Sequence, residues 1–162
     1  MTHEPTHPAP SIQEQYAPHS RCFGCGPANE KGLRIRSFAS ETTGEVTAEF
    51  VPEAHHEAFV GMVNGGIIGA LLDCHSNWCA AYHLLRVGSL DTPPCTVTAD
   101  FHVTLKRPTP SNTTLYLKAW VAQQDGNKVK VEATLTANNK ICATCTGTFV
   151  AVTEGHPAYH RW

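Results

Sequence analysis

The sequence predicts an α+β fold in which one long central helix is wrapped by a mostly antiparallel sheet of about six strands. Three observations carry this. A long stretch of helical periodicity runs from Asn64 to about Tyr82. Strand-like segments flank it, two before and four after. The later strands are joined by short turn-forming runs, Pro108-Thr109-Pro110-Ser111, Asp125-Gly126-Asn127 and Asn138-Asn139, which suit an antiparallel meander. Such a sheet must cover its apolar face, and the helix is the element that can do so.

The 162 residues amount to one domain, long enough for a sizeable core. Residues 1–21 are rich in Pro and His (Pro5, Pro8, Pro10, Pro18; His3, His7, His19) and lack the apolar centre of a signal peptide, so they read as a flexible or loosely docked arm. Cys22-Phe23-Gly24-Cys25-Gly26 is a knuckle of the kind that holds zinc when a second pair is available. The candidate pair, Cys142 and Cys145, lies in a strand, where residues three apart point to opposite faces. The expectation is therefore a metal-free turn leading into the first strand. Gly32–Phe38 and Glu45–Val51 alternate apolar and polar residues around a Thr-Gly turn and predict a hairpin. Pro52–Val60, with His55, His56 and Glu57, is a loop that delivers the chain to the helix. Beyond the helix, Leu85–Pro94 reads as a loop, followed by strands at about 95–107, 112–125, 127–137 and 140–152 and a tail, 153–162.

At the helix start, Asn64 is a good N-cap and Gly65 and Gly66 occupy the first helical positions. Two glycines there weaken the helix, so their value is steric: a ligand oxygen can approach N–H groups at the positive end of the dipole. Helical projection separates a bulky stripe (Ile68, Leu72, His75, Cys79 and Tyr82, flanked by Ile67, Leu71 and Trp78) from a small polar face of Gly66, Gly69, Ala70, Asp73, Ser76, Asn77 and Ala80. Asp73 is the one carboxylate on that face. A close helix crossing with Asp73 at its solvated edge is the competing structural reading. His75 falls on the bulky stripe and reads as a buried, hydrogen-bonded histidine rather than a base.

A net charge of −2 with 16% charged residues gives no basic field for nucleic acid, and there is no run of 18 apolar residues to span a membrane. Seven cysteines, an odd number, fit reduced thiols and a cytoplasmic location.

The run His56-x-Ala58-x-x-Gly61-x-x-Asn64-Gly65-Gly66, followed after six residues by Asp73, resembles the signature of hotdog-fold acyl-CoA thioesterases, particularly their phenylacetate-pathway branch. Thr96–Phe101 with Leu105–Pro108, the closing Cys145–Val150, and the opening Cys22–Gly26 with Asn29 and Gly32-Leu33 resemble the same branch. Relatives usually carry His where this chain has Asn64, and Asn or Gly where it has Ala58. The resemblance implies a hotdog domain over 22–152, a homodimer or a dimer of dimers (homotetramer), and hydrolysis of an acyl-CoA substrate without a cofactor. The residue chemistry fits independently: the Gly66 N–H and the helix dipole can clamp the carbonyl oxygen beside Gly65, with Asn64 donating to it, and Asp73 can act as base or nucleophile. Ser76 and Asn77, one turn beyond, can orient the carboxylate or the attacking water, Lys106 and Arg107 can contact the coenzyme phosphates, and His56 matches the family's loop histidine.

Two rival functions compete with this one. Hotdog hydratases place a histidine five residues after the aspartate, where this chain has Trp78. A noncatalytic acyl-CoA sensor of the same fold would need a protein partner, because the chain offers no basic face. Helix geometry adds an expectation of its own. Gly66 and Asp73 stand seven residues, roughly 10 Å, apart along one helix, so a complete site should draw Asp73 from a second chain.

Overall fold

Asn64 starts the helix that everything else surrounds: its side chain accepts from the Gly66 and Ile67 N–H groups, and the helix then runs unbroken through Gly65–Val87. The computed structural model describes residues 8–159. His3, Pro5 and His7 of the expected arm and the last three residues of the expected tail lie outside the described residues.

In chain order the elements are α1 (Ile12–Tyr16), β1 (Ser37–Ala39), β2 (Val46–Phe50), a 3-10 turn (Ala54–His56), β3 (Glu57–Phe59), β4 (Met62–Val63), α2 (Gly65–Val87), β5 (Thr96–Leu105), β6 (Leu115–Asp125), β7 (Lys128–Ala137) and β8 (Lys140–Ala151). Six strands form one sheet in the order β1-β2-β6-β7-β8-β5, antiparallel throughout, and β3 and β4 form a separate small hairpin. Alternation drives the central strands. On β7, Val129, Val131, Ala133, Leu135 and Ala137 are buried beneath α2, and the residues between them face outward. On the helix Leu71, Leu72, Trp78 and Cys79 are fully enclosed, each leucine contributing about 2 kcal/mol of burial. The fold expected from the sequence, one long helix on an antiparallel sheet of six strands, is the fold observed.

Four local readings differ, the first being that the expected loop Pro52–Val60 holds a 3-10 turn and the short strand β3, paired with β4. The alternation at 32–38 is real in burial, since Leu33, Ile35 and Ser37 are inside, but Arg34 takes φ 48° and only Ser37–Ala39 pairs as strand. The backbone N–H groups of Leu33 and Ile35 donate instead to the carbonyls of Phe23 and Gly24. The helix also extends past Tyr82 to Val87, ending at Gly88 with Arg86 in its last turn, where a cation suits the dipole. Finally, part of the expected arm is firmly docked. Ser11 and Glu14 form a capping box on α1, and Gln13 is 1% exposed.

Gln13 is held by a buried polar chain. Its Oε1 accepts from the Ser37 N–H (2.8 Å) and its Nε2 donates to Ser37 Oγ (2.9 Å). His75 Nε2 lies 2.9 Å from the Val46 carbonyl, which can only accept, so the proton sits on Nε2 and Nδ1 accepts from Ser37 Oγ–H at 2.8 Å. The histidine is thus the satisfied core residue the sequence suggests. Burial, the largest effect, lowers its pKa to about 4 from 6.5, against a smaller opposing contribution from the Val46 carbonyl. A depressed histidine pKa means that its contribution to stability is complete above pH 6.5 and is lost as pH falls towards 4, where the unfolded chain takes up a proton that the folded chain refuses. We expect His75→Asn to be less stable than wild type in urea at pH 7 and this gap to narrow by roughly 2–3 kcal/mol at pH 4.5. A gap independent of pH would show that His75 does not titrate across unfolding.

Candidate active site

The carboxylate singled out by sequence is half-buried and tied to the sheet. Thr98 Oγ1 donates to Asp73 Oδ1 at 2.7 Å. A bulge in β5 between Thr98 and Asp100, where the register against β8 shifts, accompanies this placement. Behind the carboxylate, burial first and then the Asp73 charge push the Cys145 thiol up to about 11. In front of it opens a cavity of about 340 Å³ whose walls include Asp73, Asn77, Thr98, Arg21, Cys22, Cys25 and Cys74.

Helical projection puts Asn77 and Ser76 on an open face, and the structure corrects this. Asn77 Oδ1 accepts from Thr96 Oγ1 (2.6 Å) and its Nδ2 donates to the Thr96 carbonyl (3.3 Å), so it ties α2 to β5 at the cavity edge. Ser76 is completely buried, as is Ala80. The small residues let the sheet close around the second half of the helix, and only the part around Gly69, Ala70 and Asp73 stays partly open.

The helix start forms the other half of the candidate site. Gly65 and Gly66 are exposed. The Gly66 N–H, which the sequence leaves open for a ligand, is held by Asn64 Oδ1 at 2.8 Å, with the Ile67 N–H at 3.3 Å. A Cβ on Gly66 would stand 2.9 Å from that oxygen, so the glycine also makes room for the cap. Leu105 of β5 abuts Gly65, with its Cδ1 3.3 Å from where a Cβ would be. Lys106 and Arg107 follow, exposed, both donating backbone N–H groups to the Cys142 carbonyl. This places the cationic strand end on the same side as the helix N-terminus.

His56 is not at that surface. It is 6% exposed, its Nδ1 accepts from the Glu53 N–H (2.9 Å), and its ring packs against Phe50 and His55. Burial, then the neighbouring His55, lower its pKa. Its carbonyl accepts from the Asn64 N–H at 2.9 Å, so its part is to fix the residue that caps α2.

Two partners are not evident from the sequence. Thr98 sits two residues beyond Thr96, and strand alternation puts both on one face, but nothing in the sequence aims that face at Asp73. Cys74 joins the Cys22–Cys25 knuckle: the three sulfurs lie within 4.8 Å of one another, and Cys142 and Cys145 are not part of the group. Mutual hydrogen bonding divides the thiols, holding Cys22 below the ordinary range and pushing Cys25 up to about 12. Cys74 is likewise pushed up, chiefly by Cys22.

A long helix packed on an antiparallel six-stranded sheet is the hotdog fold of thioesterase-superfamily structures. The crystal structure of a thioesterase superfamily protein from Shewanella loihica PV-4 is similar at a TM-score of 0.63, with 28% identity, covering 78% of this chain and 98% of that one. The PaaI protein from the phenylacetic acid degradation operon of E. coli is similar at 0.63, with 16% identity over 75% of this chain and 81% of that chain. Zebra fish thioesterase superfamily member 2 gives 0.63, with 20% identity over 77% and 90%. No family model matches the chain, and no curated protein matches it in sequence. The resemblance drawn from the signature residues and the fold it implied are borne out by these structures.

Proposed function

We propose that this chain hydrolyses an acyl thioester of coenzyme A to the free acid and CoA. The observation that carries the reading is a carboxylate, Asp73, held by Thr98 at a cavity on a helix whose N-terminus is glycine-lined and exposed. The names of the similar structures point to the same chemistry. In the proposed reaction Asp73 takes a proton from an attacking water, or attacks the carbonyl itself to give an anhydride that water opens. The thioester oxygen gains negative charge and is stabilised at the first turn of α2. Because Asn64 Oδ1 occupies the Gly66 N–H, the carbonyl oxygen displaces it, and the Asn64 amide rotates to offer its own N–H to the same oxygen. Collapse expels the CoA thiolate. Exposed Arg107 and Lys106 suit the coenzyme phosphates.

One chain does not bring the two halves together, since Gly66 and Asp73 are roughly 10 Å apart along the helix axis. We assign the missing half to a second copy. The sheet supports this: its β1 edge is three residues long, whereas β5 leaves a ten-residue edge with Phe101 and Leu105 exposed, which an uncovered protein rarely tolerates. A homodimer, or a dimer of dimers, is the proposed assembly. No helix among the described residues is long and apolar enough to cross a membrane. With all seven cysteines unpaired, the cytoplasm is the proposed location.

A thiol-release assay over short, long, aromatic and hydroxylated acyl-CoAs tests the reading. We expect release with at least one class. Tight CoA binding without release from any of them would replace the hydrolase with an acyl-CoA sensor.

A further inference from the structure

We propose that Cys22, Cys25 and Cys74 bind one zinc-class metal ion, with two thiolates from the knuckle, one from α2, and the fourth position facing the cavity that Asp73 lines. The sequence predicts no metal here, because its evident second pair, Cys142 and Cys145, splays across a strand. The third thiol comes instead from the central helix, next to Asp73.

Sulfur spacing is the first argument. Four ligands at a Zn–S length of about 2.3 Å around a tetrahedron stand about 3.8 Å apart. Cys22 Sγ and Cys74 Sγ are 3.7 Å apart, and all three sulfurs fall within 4.8 Å. A disulfide would need about 2.05 Å, and all three cysteines are unpaired.

The backbone around the sulfurs is built for this approach. The Gly26 N–H donates to the Cys22 carbonyl at 2.8 Å, closing the knuckle, while the Leu33 and Ile35 N–H groups pin Phe23 and Gly24 from outside. A side chain on Gly24 would overlap the Cys74 sulfur and crowd the Ala70 carbonyl, so only glycine lets the knuckle lie on α2 at this point. On Gly26 a Cβ would stand 2.5 Å from the Ser20 carbonyl and 2.7 Å from that of Cys22. Trp78 Nε1–H donates to Cys25 Sγ at 3.3 Å, the kind of outer hydrogen bond that orients a thiolate ligand.

The ligand set is soft and partly enclosed: Cys25 is buried, Cys74 half-buried and Cys22 exposed. Thiolates of this kind select zinc over hard cations. Three protein ligands leave one tetrahedral position, and because the three cysteines line one cavity with Asp73 and Thr98, that position is within reach of solvent. Bound there, the ion would clamp residues 22–25 onto α2 one residue beyond the carboxylate.

The test is metal content of the full chain, purified under reducing conditions after growth with zinc, and spectroscopy after exchange into cobalt(II). We expect about one ion per chain and a thiolate-to-cobalt charge-transfer band in the near ultraviolet. Cys74→Ser and Cys22→Ser should each lower metal content at least about tenfold, whereas Cys142→Ser should keep it. The wild-type measurement stands even if a variant misfolds. A chain that stays metal-free after incubation with zinc, whether its three thiols are free or two of them are joined in a disulfide, would overturn the proposal. So would an ion that Cys74→Ser leaves in place.

Discussion

Asp73→Asn is expected to lower turnover of the best acyl-CoA substrate by about a hundredfold or more and to leave the thermal midpoint within a few degrees of wild type. Both halves of this expectation follow from the geometry. Asparagine has the shape of aspartate, and its Oδ1 can still accept from Thr98 Oγ1, so the half-buried position keeps its partner. What is lost is the basicity and nucleophilicity that either version of the mechanism requires. The loss should appear in kcat rather than in KM, because a group that acts on the reacting atoms contributes little to ground-state binding. Turnover near the wild-type level in a folded Asp73→Asn protein would remove Asp73 from the chemistry and with it the proposed mechanism.

The second large effect is a recovery. Asn64→Asp should fold, because aspartate caps a helix about as well as asparagine and can accept from the same Gly66 and Ile67 N–H groups. A carboxylate at that point opposes the negative charge growing on the substrate oxygen, so turnover should fall about a hundredfold. If the site is shared, mixing this variant with Asp73→Asn under subunit exchange restores activity. In a heterodimer one site takes an intact Asn64 from the Asp73→Asn chain and an intact Asp73 from the Asn64→Asp chain, and the other site is doubly defective. Random exchange at equal amounts should return roughly a quarter of wild-type activity. No recovery after exchange verified by mass would place both groups on one chain.

The fold was legible because its signals are local. Asn64 followed by two glycines marks a helix start, period-two alternation marks β6 to β8, and Asp-Gly-Asn and Asn-Asn mark their turns. Gly88 and Arg86 could have located the helix end, since both are in the sequence and both are end signals. The losses occurred where a residue's part depends on what arrives from elsewhere in the chain. Helical projection gives Ser76 and Asn77 an open face because it treats the helix as touched on one side, whereas β5 closes over the other. The same projection cannot tell that Asn64 turns its oxygen onto Gly66, nor that a knuckle about fifty residues upstream meets Cys74. Arg34 gives no warning of a left-handed backbone, a conformation rare outside glycine and asparagine, so the first strand is shorter than its alternation suggests.

The Gln13, Ser37 and His75 chain also ties the N-terminal segment into the core. His75, an interior polar group of the central helix, is held through Ser37, whose backbone N–H and hydroxyl are both answered by Gln13 of the N-terminal segment. A version trimmed at residue 20 would keep every strand and the whole of α2 while leaving the Ser37 N–H facing a void where Gln13 had been. The short helix α1 is therefore a plug, and removing it is expected to lower the thermal midpoint by leaving buried polar groups unanswered.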